Sequence, residues 1–209
     1  MSLPENADVI ARLPIFPLGT VLFPGGRLPL RIFEARYMDM VRNCMRDSAP
    51  FGVCRITRGG EVGEPAEHER IGCLGRIADW DMAQPGVLQI MLLGDRRFQI
   101  NDERIEKDGL ITARVELIND DALFAVPDEF RESAELLRKI LIDLESRSDE
   151  SEHNPVASPY QFDSCAWVAN RLCELLPIPI GAKQKLMELN DPASRLSLVQ
   201  QFLQQRKVL

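Results

Sequence analysis

Asp79 and Asp81 flank Trp80 inside the alternating run from Ile71 to Met82. On an extended strand, residues two apart share a face at about 7 Å. At that spacing paired carboxyls can act as acid and base or nucleophile on a sugar stacked against the indole. A simpler account, an amphipathic strand with Trp80 in the core and two solvated aspartates, needs no substrate and is preferred. Arg96 and Arg97, beside Gly94-Asp95, offer a second constellation, a guanidinium fork for a carboxylate or phosphate anion. Against it stands internal pairing of one arginine with the other left in water, again the preferred account. His68-Glu69 lacks the second histidine four residues on that a helical zinc-protease motif requires. With His153, it is expected in an exposed loop, where a general base is not packed or tuned.

Larger catalytic signatures are missing. No Gly-Lys dipeptide occurs, so there is no phosphate-cradling loop, and neither G-x-G-x-x-G nor a G-x-S-x-G elbow is present. The expectation is a protein that is not an enzyme and needs no cofactor. Cys44, Cys54, Cys73, Cys165 and Cys173 are odd in number, widely spaced and apolar in context. They read as reduced buried thiols. With only two histidines, no metal site is expected.

Composition narrows the partners. Net charge is −7, and the acidic excess is spread along the chain without a Lys/Arg stripe, which argues against nucleic acid. No apolar run approaches the ~20 residues that span a bilayer. The opening residues MSLPENADVI have neither a basic start nor an apolar stretch, so no signal peptide and a cytoplasmic location are expected.

Two kinds of pattern divide the chain. Between Leu13 and Glu34, Pro14, Pro17, Pro24 and Pro29 punctuate alternating apolar residues and must mark strand starts, edges or bends, because proline cannot donate within a central strand. Glu34 to Asp47 places Tyr37, Met38, Val41, Cys44 and Met45 at helical spacing, with Arg36, Asp39, Arg42 and Arg46 on the other face. Phe51–Thr57 reads as a strand, and Gly59–Arg70 as a charged, mobile loop. Ile71–Met82 follows as a strand in which Gly72 and Gly75 suggest tight backbone approach. Val87 to Ile118 reads as three antiparallel strands with turns at Gly94-Asp95 and Asp108-Gly109.

From Pro127 onward the apolar period becomes helical. Phe130, Ala134, Leu137, Leu141 and Leu144 form one face, and Ser146–Pro159 is a polar connector. Ser158-Pro159 and Asp191-Pro192 both look like an N-cap followed by proline in the first turn. Four helices are expected to form a bundle. The fold class is therefore α+β, with a β-barrel domain over residues 1–122 and a helical bundle over 123–209.

Several runs also carry a family likeness. The Pro17–Tyr37 segment, with its PLxxxxFPG and PLxIFExRY elements, resembles the opening of the Lon substrate-binding domain, the N-terminal domain of an ATP-dependent protease. The likeness continues in order through Gly94–Ile100, Ala113–Asp120 and Lys183–Leu203. The resemblance implies a PUA-like pseudo-barrel with one helix, similar to accessory domains of RNA-modifying enzymes, ahead of the bundle. It also implies a stand-alone domain without the ATPase and serine–lysine peptidase modules of Lon.

The resemblance thus implies a non-catalytic polypeptide-binding module, an adaptor or chaperone-like protein whose partners are unfolded segments and an ATP-dependent protease or chaperone in trans. The expected contact residues are Phe23, Pro24, Leu28, Leu30 and Met82, on a groove near the proline-rich bend, with the bundle as one wall. Arg96 and Arg97 are the candidate anion contacts. The alternatives are a small-molecule pocket between barrel and bundle and, more remotely, RNA binding.

Overall fold

The computed structural model describes residues 8–147 and 155–208. His153 and half of the polar connector, like the first seven residues, lie outside the described residues. The chain separates into two compact units, Met1–Asn119 and Asp120–Leu209.

The first unit contains β1 (Val9–Leu18), β2 (Arg27–Ile32), α1 (Ala35–Asp47), β3 (Phe51–Arg58), β4 (Glu67–His68), β5 (Ile71–Gln84), β6 (Val87–Ile105) and β7 (Ile111–Leu117). β1 pairs antiparallel with β7 up to Ile15 and parallel with β3 from Ile15 onward. The β7–β6, β6–β5 and β5–β3 pairings then close a ring of five strands. Closure removes the exposed edges that an open sheet must protect. β2 stands outside this ring, paired with β6 alone.

The partner switch at Ile15 explains two prolines in a ring strand. Pro14 sits where β1 pairs with β7 but not yet β3, and Pro17 where it pairs with β3 but no longer β7. Each therefore lies where the strand has one neighbour, and no ladder bond is lost. Alternation along β1 feeds two cores. Leu13 and Ile15 join Phe98, Ile100 and Val115 in one, while Phe16 and Leu18 join Tyr37, Met40 and Val41 of α1 in the other.

Two predicted features of this unit change. Gly94-Asp95 is not a turn, because β6 runs unbroken through it. A Cβ on Gly94 would lie 2.1 Å from the Phe23 carbonyl oxygen. Its backbone also accepts from Gly25 N–H and donates to Gly26 O, each at 2.8 Å. The glycine is there for close backbone approach, and Val87 to Ile118 holds two strands instead of three. Arg36, placed by the helical pattern on the solvent face, is buried. Its guanidinium donates to Glu34, to Gly63 O and to Gly109 O, tying three loops to the start of α1.

The second unit has a 3-10 turn (Asp128–Phe130) followed by α2 (Arg131–Arg147), α3 (Cys165–Leu175), α4 (Ile180–Glu188) and α5 (Pro192–Gln205). Asp191 caps α5 as its sequence announces, accepting from Ala193 and Ser194 N–H with Pro192 in the first turn. Ser158-Pro159 does not start α3. That bond is cis, and the cap is Ser164, whose hydroxyl accepts from Trp167 N–H. Tyr160 and Phe162 precede the cap and cluster with the ring of Trp167 in the first turn of α3. Arg195 is buried at the centre of this unit. All its donor nitrogens are used, on Asp121, Asn170 Oδ1, Leu186 O and Leu189 O.

Candidate functional site

The first unit carries a cleft of about 340 Å³ lined on one side by Pro29, Leu30, Arg31, Ile32 and Phe33. Successive residues of a strand point to opposite faces. A hollow touching four successive residues of β2, Pro29 to Ile32, must therefore run along the strand's edge. That edge is the free one, since β2 pairs only with β6. Pro29 is accommodated there because its missing N–H costs no ladder bond on the unpaired side.

Phe16, Leu18 and Tyr37 form the floor, and Glu61 and Val62 of the β3–β4 loop form the far rim. Phe33 is 55% and Val62 60% exposed, so the two rims carry apolar surface that folding leaves in water. Burial pushes the Tyr37 phenol above its ordinary pKa against the pull of Arg36, and the group stays a neutral donor and acceptor. Glu34 is neutralised by Arg36 at 2.9 Å. Arg31 is exposed, and its side chain has no hydrogen-bond or ion-pair partner among the described residues. Glu61 Oε1 accepts the backbone N–H of Gly19 at 2.6 Å.

The sequence-derived contact residues distribute unevenly. Leu30 lines the cleft. Leu28 is half-buried and packs against the core beneath α1. Phe23 is withdrawn from the surface altogether, at 0% exposure, because the bend carrying it is hydrogen-bonded onto Gly94 and turns its ring inward. Pro24 is half-buried in that bend. Met82 is exposed on β5 but does not line the cleft.

Arg96 and Arg97 are not an anion fork. Arg97 is buried and donates to Asn119 O, while Arg96 bonds Asp8 and Ile118 O, so both are turned to internal acceptors. Trp80 is exposed instead of buried, because register shifts on either side of it in β5 break the alternation. His68 belongs to β4, not to an exposed loop. Its ring is buried, with Nδ1 2.9 Å from Glu69 O and Nε2 3.7 Å from a Glu103 carboxylate oxygen. The five thiols are buried and unbridged. Burial lifts Cys44 and Cys165 to about 11 and Cys173 to about 12, which removes them as nucleophiles at neutral pH.

Sequence reasoning passed over Phe33, Val62, Glu61 and Gly19. Val62 carried a usable signal as a solitary large apolar residue in a Gly-rich charged loop. Gly19 and Glu61 are 42 positions apart, and nothing local announces their contact.

Comparison with known proteins places the fold. The chain is similar to a Lon N-terminal domain protein from Xanthomonas campestris, with 34% identity and a TM-score of 0.74 over 91% of this chain and 97% of that one. The N-terminal domain of Mycobacterium avium complex Lon protease shares the fold at a TM-score of 0.58 and 14% identity, covering 90% of this chain and 95% of that one. Among curated relatives, Lon protease of Anaeromyxobacter dehalogenans is 26% identical over 97% of this chain and 24% of its own length. Protein cereblon of Danio rerio is 25% identical over 54% of this chain and 27% of its own. The chain spans a quarter or less of the length of curated Lon proteases it matches, 15% to 24%. A sequence model of the ATP-dependent protease La (LON) substrate-binding domain matches residues 12–205, and the chain belongs to that family.

Proposed function

We propose that this protein is a non-catalytic polypeptide-recognition module and that the cleft along β2 receives an extended segment of an unfolded or exposed chain. Family membership supplies the class of ligand. The observation that carries the location is the coincidence of an apolar hollow with an unpaired strand edge. A guest strand would gain backbone hydrogen bonds from β2 and bury alternate side chains against Phe16, Leu18, Phe33 and Val62. Backbone pairing is indifferent to sequence and the hollow is small, which together favour broad, weak recognition. That is the behaviour expected of an adaptor that presents many clients to a protease or chaperone acting in trans.

The test is titration with a reduced, permanently unfolded polypeptide while backbone amide resonances are followed. Progressive shifts at Leu30, Arg31, Phe33 and Val62, with those of β7 on the ring unmoved, are the expected result. Shifts confined to other surfaces would remove the cleft from consideration.

A further inference from the structure

The contact between Glu61 and Gly19 says what kind of segment the cleft takes. Gly19 follows the last residue of β1, and its N–H is one that neither β3 nor β7 takes up. A carboxylate oxygen occupies it at 2.6 Å. The position leaves space for that group, since a Cβ on residue 19 would lie 3.1 Å from the same oxygen. Exposed Arg31 lines the same hollow without a partner among the described residues. Glu61, whose carboxylate holds the Gly19 N–H, shares one apolar-walled hollow with an uncommitted guanidinium.

We infer that Glu61 is an internal stand-in for the C-terminal carboxylate of a bound polypeptide, and that the cleft selects free chain ends carrying apolar final residues. This rests on the polypeptide reading of the cleft. The hollow is near the lower limit of ligand pockets. It suits the last few residues of a chain entering end-on better than a long segment running through. The terminal carboxylate replaces Glu61 on Gly19 N–H and meets Arg31, the preceding residues pair with β2, and their side chains cover Leu30, Phe33 and Val62. Glu61 is tethered and competes at high effective concentration. A carboxylate alone therefore does not displace it, and a ligand must supply the apolar contacts too. The loop contact is thereby a filter against soluble carboxylates.

Three acetylated six-residue peptides ending in Val-Leu test this: the free acid, the C-terminal amide, and an amide with one internal glutamate. Each is titrated by amide-resonance mapping into the intact protein and into Glu61→Ala and Arg31→Gln variants. The free acid should bind about tenfold tighter than either amide to Glu61→Ala, the scale of one charge-assisted hydrogen bond. The preference should be smaller in the unaltered protein, where Glu61 competes, and lower again with Arg31→Gln. Because the acid-to-amide ratio is taken within each variant, small differences in folding cancel. Equal binding of acid and amide, with cleft resonances shifting for both, overturns the terminal-carboxylate assignment and leaves the cleft reading standing. The internal glutamate matching the free acid also overturns it. Absence of any cleft shift with all three removes both.

Discussion

The five-stranded ring and the strand laid against it solve opposite problems with the same kinds of residue. Inside the ring, Phe98 lies between Gly52 and Gly72, and a Cβ on either glycine would come within 2.7 Å of its ring. No slack is left, and every strand of the ring has at least two neighbours. β2 has one neighbour, and the cleft along its open side is rimmed by Phe33 and by Val62 of the β3–β4 loop, both in water instead of in a core. Closure gives the unit its rigidity. The strand left out of the closure keeps backbone groups and apolar surface available to something else.

The largest effect expected from breaking this arrangement comes from Phe98→Ala. The ring is fully buried and its cage is made of backbone and β-strand side chains that cannot collapse inward, so the loss should be about 3–5 kcal/mol. Denaturant unfolding would report it as a lower midpoint with unchanged slope. A loss below about 1 kcal/mol would mean the ring is not the stabilising element. Gly72→Ala attacks the same spot from the other side. Its new methyl would meet Val53 O at 2.4 Å and Cys54 Sγ at 2.7 Å, and overpacking of this kind costs about 1–3 kcal/mol.

How much of this was legible in the sequence follows from the range of the interactions involved. Pro14, Pro17 and Pro29 announced strand margins because a missing N–H is a local property, and each sits where its strand has a single neighbour. Asp191-Pro192 announced a cap for the same reason. Gly94 misled because local chemistry cannot distinguish a glycine that turns from one that lets a distant backbone approach. Phe23 misled in a related way. A bend is usually at the surface, but this one is pinned onto Gly94 and points its ring inward. Leu30 was placed at the candidate site from the proline-marked edge, whereas the opposite rim required the β3–β4 loop to fold back, which only tertiary structure decides.

Alkaline pH separates the two regions by a milder route. Cys44 is lifted to about 11 by burial first and Asp47 second, and burial also raises Cys54 in the ring core, whereas β2 carries no thiol. A thiol whose pKa is raised by folding stays protonated in the native state while the unfolded chain ionises near 9. Its contribution is therefore complete below that value and is lost as pH rises toward the folded pKa. Stability should fall by about 1.4 kcal/mol per pH unit per such thiol above pH 9. Cys44→Ala should flatten the slope between pH 9 and 11, measured as the change in urea midpoint. An unchanged slope would show that Cys44 ionises as freely folded as unfolded.

The smallest change in stability should accompany the largest change in binding. Phe33 lies beyond the last residue of β2, is 55% exposed and belongs to neither buried cluster, so Phe33→Ser should alter unfolding free energy by less than about 0.5 kcal/mol. The same ring forms one rim of the cleft, where covering it with a guest segment would bury apolar area at roughly 25 cal/mol per Å². Loss of that cover should weaken polypeptide binding by about tenfold, read from the titration of amide shifts at Leu30 and Val62. A variant that unfolds more readily but binds as before would assign Phe33 to the scaffold. Undiminished stability with undiminished binding would move the recognition surface away from β2 altogether, leaving the free edge without a role.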